Sequence, residues 1–289
     1  MRTNQPITLK SPAKLNLFLK ILKKREDHYH ELQSTFQFID LYDVLTFKFT
    51  KSTKKKEVVV SNPTINCKAQ EDLIYKAAQS LLPDGYRVEI IVEKNIPEGG
   101  GLGGGSSNAA LTLLTINHLL SLNNSQDNLI NLGQSLGADI PFFLGQSNAF
   151  VEGIGEKITP LNIPEKHFLL IYPGVKVSTQ EIFKEFKLTK ETKPLKITGS
   201  RNDDNYKIPY NYNDLENVTL SKYPDIALQM NLLKELGQPR LTGTGSCFFI
   251  EMQKDVLNKL DLDALKLIKN AKSFKVKGLI KNPIYDHFL

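Results

Sequence analysis

A run of glycines interrupts the chain between two regular patterns of apolar residues. Residues 99–105 hold six of the eighteen glycines in this 289-residue sequence. The alternation over residues 88–93 predicts a strand before the run, and the apolar periodicity from Ala110 predicts a helix after it. Glycine has no Cβ, so its backbone can adopt positive φ and approach an anion, toward which the free N–H groups of a helix start also point. The run therefore predicts a phosphate-binding loop rather than a flexible linker, with Ser106 or Ser107 as the N-cap.

Two other glycine-rich phosphate loops fit this context less well. A Walker loop requires Lys and then Ser or Thr after its last glycine, whereas Gly105 is followed by Ser-Ser-Asn. Residues 99–104 satisfy the G-x-G-x-x-G spacing of a dinucleotide fold, but in that fold the strand leads directly into the first glycine. Here residues 94–98 separate the strand from the run. The sequence therefore disfavours both alternatives.

Length and composition predict a two-domain protein of the cytoplasm. Apolar residues make up 40% of the chain, which is ample material for two cores. There is no apolar signal segment near the start and no run of eighteen apolar residues, and the two cysteines, Cys67 and Cys247, suggest no disulfide framework.

Charge favours an anionic small molecule over a nucleic acid as the partner. The net charge is +6, but the basic residues are scattered apart from Lys51 and residues 54–56. This cluster lacks the arginines and aromatic residues typical of a nucleic-acid surface. We expect a solvated hairpin loop there, no nucleic-acid partner and no membrane partner; a monomer or a weak dimer is compatible with the sequence.

Further patterns place the remaining polar residues of interest. Alternation over residues 15–21 predicts a half-buried strand, which puts Lys14 and Asn16 on one face. A helix is predicted from about Asp127 to a C-cap at Gly137, and Pro141 would prevent its continuation. Asp139 then lies in the irregular segment just past that helix.

The second half of the chain contains another glycine turn. Pro160 and Pro164 bracket a turn-like segment, and a strand is predicted at residues 167–172. A helix is predicted from Pro224 to Gly237, and residues 241–250 predict a glycine turn that enters a buried strand. Two glycine loops on one chain suggest that both serve one site.

Three segments, in this order, resemble the three motifs of the GHMP kinases: residues 11–17 (Ser-Pro-Ala-Lys-Leu-Asn-Leu), 97–110 and 241–248. The match spans most of the chain. The resemblance implies an α+β fold of two domains with the active site in the cleft between them. It implies an N-terminal nucleotide-binding domain over residues 1–160 and a C-terminal domain over residues 161–289. It also implies ATP as phosphate donor and Mg²⁺ bridging the phosphate oxygens.

Other segments resemble one branch of this superfamily. Residues 27–30 (Asp-His-Tyr-His), 36–40 (Phe-Gln-Phe-Ile-Asp) and 137–141 (Gly-Ala-Asp-Ile-Pro) are similar to GHMP kinases that act on a methylerythritol linked to cytidine diphosphate. The resemblance implies phosphorylation of its 2-hydroxyl in the methylerythritol phosphate route to isoprenoids. The chain departs from this branch at His28, where Gly is usual, and at Asp72, where Asn is usual.

The resemblance assigns roles to individual residues. It makes Asp139 the base that takes the hydroxyl proton and Lys14 the cation beside it. The residues implied to bind ATP are Lys94, Pro97, Gly99, Gly100, Gly101, Leu102, Gly103, Gly104, Gly105, Ser106, Ser107 and Asn108. Those implied to bind the second substrate are Asn16, Tyr29, His30, Thr179 and Phe183, with Tyr29 and Phe183 stacking on the cytosine and His30 bonding its edge. The third glycine loop comprises Gly243, Thr244, Gly245 and Ser246. The metal ligands stay unassigned.

Three alternatives remain at this point. Another GHMP kinase, acting on homoserine or a mevalonate derivative, would not need the Tyr29–His30 pair. A non-catalytic nucleotide sensor on the same fold would keep the glycine loops but lose the base or its lysine, and both Lys14 and Asp139 are present. An RNA-binding module would bind nucleic acid with a steep salt dependence.

Overall fold

The computed structural model describes residues 5–53, 55–62, 69–188, 191–195, 212–265, 267 and 269–288. Strands in this part of the chain are β1 (Ile7–Lys24), β2 (His30–Lys51), β3 (Glu57–Ser61), β4 (Tyr86–Glu93), β5 (Ala149–Gly153), β6 (Lys157–Pro160), β7 (His167–Tyr172), β8 (Arg240–Leu241), β9 (Phe248–Met252) and β10 (Lys272–Lys277). The α-helices are α1 (Leu73–Leu81), α2 (Gly104–Leu119), α3 (Gln126–Leu136), α4 (Ile140–Leu144), α5 (Thr179–Glu185), α6 (Glu216–Lys222), α7 (Pro224–Leu232) and α8 (Lys254–Lys259). Short 3₁₀ turns lie at Ala69–Glu71, Lys234–Leu236 and Pro283–His287.

A long antiparallel hairpin organises the first sheet. β1 pairs with β2, and β2 is long enough to pair also with β4 and β5, giving the order β3-β4-β2-β5-β6 with β1 beside β2. The register of the hairpin shifts between Pro12 and Ala13, and again between Asn16 and Phe18. Such shifts bend a strand and redirect its side chains, and here they flank Lys14 and Asn16.

The prediction that the first strand is half buried is wrong in one respect. A strand forms at Leu15–Ile21 as expected, but both of its faces are buried. Leu15 and Phe18 pack in a core with Phe168 and Phe249 of the second sheet, whereas Leu19 belongs to a further core. Because the second sheet covers the face that alternation assigned to solvent, β1 runs through the interior.

The second sheet comes from the C-terminal part of the chain. Its order is β10-β7-β9-β8, and every pair is antiparallel. The predicted strand at 167–172 is confirmed. The helix predicted from Pro224 to Gly237 begins at Pro224 as α7 but ends at Leu232, and a short 3₁₀ turn at Lys234–Leu236 precedes Gly237. The last strand of the first sheet ends at Pro160 and the first strand of the second begins at His167. The domain boundary after residue 160 stays a prediction.

The helix after the glycine run lies in the interior. α2 is buried almost all round, as expected of a helix that is apolar on every side. It packs against α1 and α4, and its apolar side chains share a hydrophobic core with those of β2 and β4. The predicted helix ending at Gly137 is confirmed as α3. Pro141 does not simply stop the chain there, because it occupies the second position of α4, where a missing N–H costs nothing.

The lysine cluster after β2 does not lie in a hairpin loop. Within the described residues β3 runs antiparallel to β2 but pairs with β4, which lies between them, so β2 and β3 are not the adjacent strands of a hairpin. Lys54 and Cys67 lie outside the described residues, and Cys247 is a buried free cysteine. No helix in the described part of the chain combines the length and apolarity needed to cross a bilayer.

The turn between β1 and β2 contains a residue in a strained backbone conformation. His28 has φ 68°. We expect His28→Gly to raise the free energy of unfolding by about 1 kcal/mol, because a left-handed residue with a Cβ costs about 1–2 kcal/mol and glycine avoids most of this. Urea titration would measure the change. Glu26→Gly, two residues earlier at a position without positive φ, is the control and should lower stability. Equal shifts for the two variants would contradict strain at His28.

Candidate active site

One large cavity brings together most of the residues predicted for the site. Its volume is about 1280 Å³. It is lined by β1, β2 and the start of α2 in the N-terminal part of the chain, and by α5 and the turn between β8 and β9 in the C-terminal part. The predicted residues on its wall are Lys14, Asn16, Tyr29, His30, Lys94, Pro97, Gly99, Gly100, Gly101, Leu102, Gly103, Gly104, Gly105, Ser106, Asn108, Asp139, Thr179, Phe183, Gly243 and Thr244. Ser107, Gly245 and Ser246 are not on the wall.

The glycine run forms a tight loop that leads into α2. Gly99, Gly101 and Gly103 all have φ between 67° and 76°, which only glycine adopts without strain. The expectation that Ser106 or Ser107 caps the helix is wrong, because α2 begins at Gly104 with Gly103 as its N-cap and no side-chain cap. The glycine conformation supplies the turn, so no hydroxyl is needed.

The two serines of the run have different surroundings. Ser107 is fully buried and its hydroxyl bonds the hydroxyl of Ser11 on β1 at 2.6 Å. Ser106 lies in the first turn of α2 and is partly exposed on the cavity wall. Of the two serines, only Ser106 lines the cavity.

The glycine loop of the third motif, residues 243–246, packs against the glycine run at residues 99–105. The amides of Ser246 and Cys247 each donate to a carbonyl of the first loop, those of Gly99 and Gly100, at 3.2 Å. The Thr242 hydroxyl bonds the backbone N–H of Asn16 on β1. The two glycine turns therefore meet at one place, as expected, and the first is clamped between the third loop and β1.

Lys14 and Asp139 meet on the cavity wall. Lys14 Nζ lies 3.7 Å from Asp139 Oδ2, with the lysine nearly buried and the aspartate side chain 34% exposed. Asp139 precedes α4 but makes no capping hydrogen bond, so its carboxylate is free to face the lysine and the cavity. Burial lowers the pKa of Lys14 from its ordinary value, and the neighbouring Asp139 carboxylate opposes that shift.

The side chain of Asn16 orients the lysine. Its Oδ1 accepts from Lys14 Nζ at 2.5 Å, and its Nδ2 donates to the hydroxyl of Ser34 at 2.9 Å. The Lys14 ammonium also lies 4.4 Å from the centre of the Phe36 ring, a cation–π contact. These contacts hold the ammonium in one position beside Asp139. Direct contact of Asn16 with the substrate stays a prediction.

Another part of the cavity wall is aromatic. His30 is buried, and its ring centre lies 5.4 Å from that of Phe183 on α5. Its Nε2 is buried with no hydrogen-bond partner. Burial, and then the nearby charge of Lys24, lowers the pKa of His30, which favours the neutral imidazole. Tyr29 is 61% exposed on the same wall.

Two contacts at the cavity concern residues singled out in the sequence. The Thr179 hydroxyl lies 3.1 Å from that of Thr244, which joins α5 to the third glycine loop. Asp72 is the N-cap of α1, where its Oδ1 accepts the N–H of Ile74 at 2.7 Å, and it also lines the cavity. The departure at Asp72 therefore preserves a helix cap, for which Asp and Asn are equally suited.

The sequence reasoning missed Asp43 on β2. This carboxylate is fully buried, and it accepts hydrogen bonds from the side chains of Lys94 and Asn108 and from the backbone N–H groups of Asn95 and Ile96. An acidic residue within an apolar strand was the available signal, since a buried carboxylate requires partners.

Comparison with known proteins identifies the family of this chain. A family profile described as the GHMP kinases N terminal domain matches residues 72–146. The 4-diphosphocytidyl-2-C-methyl-D-erythritol kinases of Herminiimonas arsenicoxydans and Marinobacter nauticus are 40% and 43% identical to this chain, with alignments that cover 95% and 96% of both partners.

Solved structures confirm the α+β fold. A crystal structure of a 4-(cytidine 5'-diphospho)-2C-methyl-D-erythritol kinase matches with a TM-score of 0.77 and 30% identity, over 94% of this chain and 100% of the other. A homoserine kinase from Cytophaga hutchinsonii, at 14% identity and a TM-score of 0.65, covers 98% of this chain and 97% of its own and shares the fold. Relatives so similar over nearly the whole length place the chain in the 4-diphosphocytidyl-2-C-methyl-D-erythritol kinase family of the GHMP kinases.

Proposed function

We propose that this chain transfers the γ-phosphate of ATP to the 2-hydroxyl of 4-diphosphocytidyl-2-C-methyl-D-erythritol, giving the 2-phosphate and ADP in the methylerythritol phosphate pathway. One observation carries the proposal: a single cavity is lined by the glycine loop, by the Lys14–Asp139 pair and by His30 with its unpartnered Nε2. Phosphoryl transfer requires a phosphate cradle, charge neutralisation and a group that takes the hydroxyl proton. The names of the relatives support the same reaction.

The nucleotide phosphates bind at the start of α2. Backbone N–H groups of residues 99–106 supply the donors, whereas the N–H of Ser107 donates to the carbonyl of Gly103. The 16-residue helix adds the positive end of its dipole. Lys94 lines the same part of the cavity, where the ideal Cβ position of Gly104 lies 3.4 Å from its Nζ. A cation beside the helix start favours a polyphosphate over a neutral ligand.

The transfer step uses the Lys14–Asp139 pair. The acceptor oxygen forms its bond to the γ-phosphorus while the bond to the bridging oxygen of ADP breaks. Asp139 takes the proton of the attacking hydroxyl, and the Lys14 ammonium offsets the negative charge on the transferring group. Because Asn16 already holds the ammonium in place, little reorganisation is needed during the reaction.

The residues present fit a magnesium ion carried by the nucleotide. The described residues contain no cluster of three or more His, Cys, Asp or Glu that could hold a metal. In kinase sites Mg²⁺ takes one or two protein ligands, several waters and the phosphate oxygens. Ser106 and Asn108 line the cavity at the start of α2, and Asn108 Oδ1 has no hydrogen-bond partner within the described residues, so these are the side chains that would lie nearest to the ion. The ion supplies neutralisation of the phosphate charge.

The cytidine end is read by stacking and by one polar edge contact. Tyr29 and Phe183 supply the aromatic faces, and the neutral His30 supplies a ring nitrogen for the base edge, with Thr179 nearby. Such a site binds a pyrimidine. Homoserine and mevalonate derivatives have no base, so they would make neither the stacking nor the edge contact.

Removal of the Tyr29 ring should weaken binding of the acceptor selectively. We expect Tyr29→Ala to raise the KM for the cytidine substrate about tenfold or more, since stacking of a base on an aromatic side chain contributes about 1–3 kcal/mol. The KM for ATP should stay within twofold. Tyr29→Phe keeps the ring and is the control, expected near wild type. Equal rises in both KM values for Tyr29→Ala would instead indicate misfolding of the turn.

The experiment that tests the activity is a coupled assay of ADP release. Mg-ATP is supplied with 4-diphosphocytidyl-2-C-methyl-D-erythritol, homoserine or phosphomevalonate in parallel. Turnover with the cytidine substrate alone supports the proposal. If homoserine or phosphomevalonate is phosphorylated, Tyr29 and Phe183 serve packing and not base recognition. If ATP binds but no acceptor is phosphorylated, the chain is a nucleotide sensor. A cytoplasmic location, the absence of a nucleic-acid partner and a monomeric or weakly dimeric state stay predictions.

A further inference from the structure

Asp43 is a buried charge that the proposed mechanism does not use. It lies on β2 with 0% of its surface exposed, 51 residues before Lys94 in the chain. Burial of a carboxylate is costly unless charge and hydrogen bonds compensate it. A residue kept at that cost needs an explanation beyond core packing, because an apolar side chain would fill a strand position with less penalty.

The two carboxylate oxygens of Asp43 have separate tasks. Oδ1 accepts the backbone N–H groups of Asn95 and Ile96, at 2.8 Å and 2.9 Å, and so anchors the segment between β4 and the glycine loop. Oδ2 accepts from two side chains on the cavity wall, the ammonium of Lys94 and the amide of Asn108, the latter at 2.8 Å. One oxygen therefore anchors backbone and the other holds groups that face the nucleotide.

The ammonium of Lys94 is placed at the helix start by this contact. Its side chain is 7% exposed, and its Nζ is within 3.4 Å of the ideal Cβ position of Gly104, the first residue of α2. A lysine side chain loses about 1.5–2 kcal/mol of rotamer freedom when it is ordered. Asp43 already restrains this lysine in the ligand-free protein. The loss of rotamer entropy therefore accompanies folding and does not lower the affinity for the nucleotide.

The amide of Asn108 is oriented in the same way. With its Nδ2 donating to Asp43, its Oδ1 is left buried and without a protein partner at the phosphate end of the cavity. Rotation of the amide would place an oxygen against the carboxylate, which is repulsive. Asp43 thus fixes the orientation of the Asn108 amide.

We propose that Asp43 is a positioning residue for the nucleotide, acting through Lys94. This inference rests on the proposed function only in that the ligand is a nucleoside polyphosphate. Asp43 itself does not touch the phosphates. The buried carboxylate instead orders the Lys94 ammonium, which contacts the phosphates. It also places a negative charge close to an anion site, which opposes part of this gain.

Asp43→Asn separates the two tasks. The amide oxygen can still accept the N–H groups of Asn95 and Ile96, whereas an amide nitrogen in the other position cannot accept from Lys94 or Asn108. The test is a double-variant cycle with Asp43→Asn, Lys94→Met and the combined variant, each as the full chain. Calorimetry measures the Kd of ADP and of a non-hydrolysable ATP analogue, so the readout does not depend on turnover.

We expect each single variant to raise the nucleotide Kd by tenfold or more and the combined variant to raise it no further than Lys94→Met alone. The KM for the cytidine substrate should change less than twofold. Multiplicative losses in the combined variant, an unchanged or lower Kd for Asp43→Asn, or parallel rises in both KM values would overturn the proposal. If the wild-type chain binds the nucleotide but phosphorylates none of the acceptors, the proposed function is refuted and the inference about Asp43 still stands.

Two controls keep the cycle interpretable. The exposed pair Lys281–Asp286 lies at the far end of the chain, and Lys281→Met with Asp286→Asn should leave the nucleotide Kd within twofold. If Asp43→Asn alone does not fold, the combined variant removes both buried charges and is the better folder. It should then bind nucleotide at least as tightly as Lys94→Met. Weaker binding would show that Asp43 acts independently of the lysine and would overturn the proposal.

Discussion

Asp139→Asn is expected to lower kcat for phosphoryl transfer by about 10²- to 10⁴-fold, the usual contribution of a positioned general base. The substitution keeps the shape of the side chain and removes the carboxylate that we propose takes the hydroxyl proton. Asp139 makes no capping bond to α4, so local structure should not change. The Kd for ATP should stay within a fewfold of wild type. Single-turnover ADP formation and calorimetry together measure both quantities.

A matched carboxylate makes this result specific. Asp127 is exposed in the first turn of α3, and Asp127→Asn should leave kcat within twofold. A loss of less than tenfold for Asp139→Asn would mean that the hydroxyl proton leaves by another route. In that case Asp139 would serve to hold Lys14, 3.7 Å away, and not as the base.

Gly101→Ala is expected to damage both stability and nucleotide binding. Gly101 has φ +76°, and a Cβ there would stand 2.2 Å from the carbonyl oxygen of Thr242. That oxygen belongs to backbone clamped against the glycine loop, so it cannot move aside cheaply. Overpacking costs about 1–3 kcal/mol and a left-handed residue with a Cβ costs about 1–2 kcal/mol more. Urea unfolding should show the combined loss, and the KM for ATP should rise with it.

Gly105→Ala is the control from the same loop. Gly105 lacks positive φ, and the nearest atom to a Cβ there is Leu73 Cδ1 at 3.8 Å, an ordinary contact. Because Gly105 is in the first turn of α2, alanine should hold or raise stability, by at most about 1 kcal/mol. A Gly101→Ala protein within 0.5 kcal/mol of wild type, roughly the error for a neutral surface substitution, would show that the third loop does not clamp the first.

Local sequence patterns predicted the positions of helices and strands better than they predicted what packs around them. The strand before the glycine run, the helix ending at Gly137 and the strand at His167–Tyr172 are confirmed, because periodicity and turn residues act over a few neighbours. The N-cap of α2 was wrong, since glycine geometry at Gly103 replaced the expected serine cap. The two-sided burial of β1 was missed because it depends on a sheet formed more than 140 residues later.

The sequence alone determined the glycine turn before α2, the α+β class and, through its motifs, the kinase family. These follow from residue types at fixed short spacings, where the chemistry of glycine, lysine or a carboxylate is local. Only the tertiary structure decided which of those residues meet: Asp139 beside Lys14, the third glycine loop behind the first, and Asp43 beneath Lys94 and Asn108. Contacts between residues 51 to 147 positions apart depend on how sheets and helices pack, and spacing along the chain carries no record of that packing.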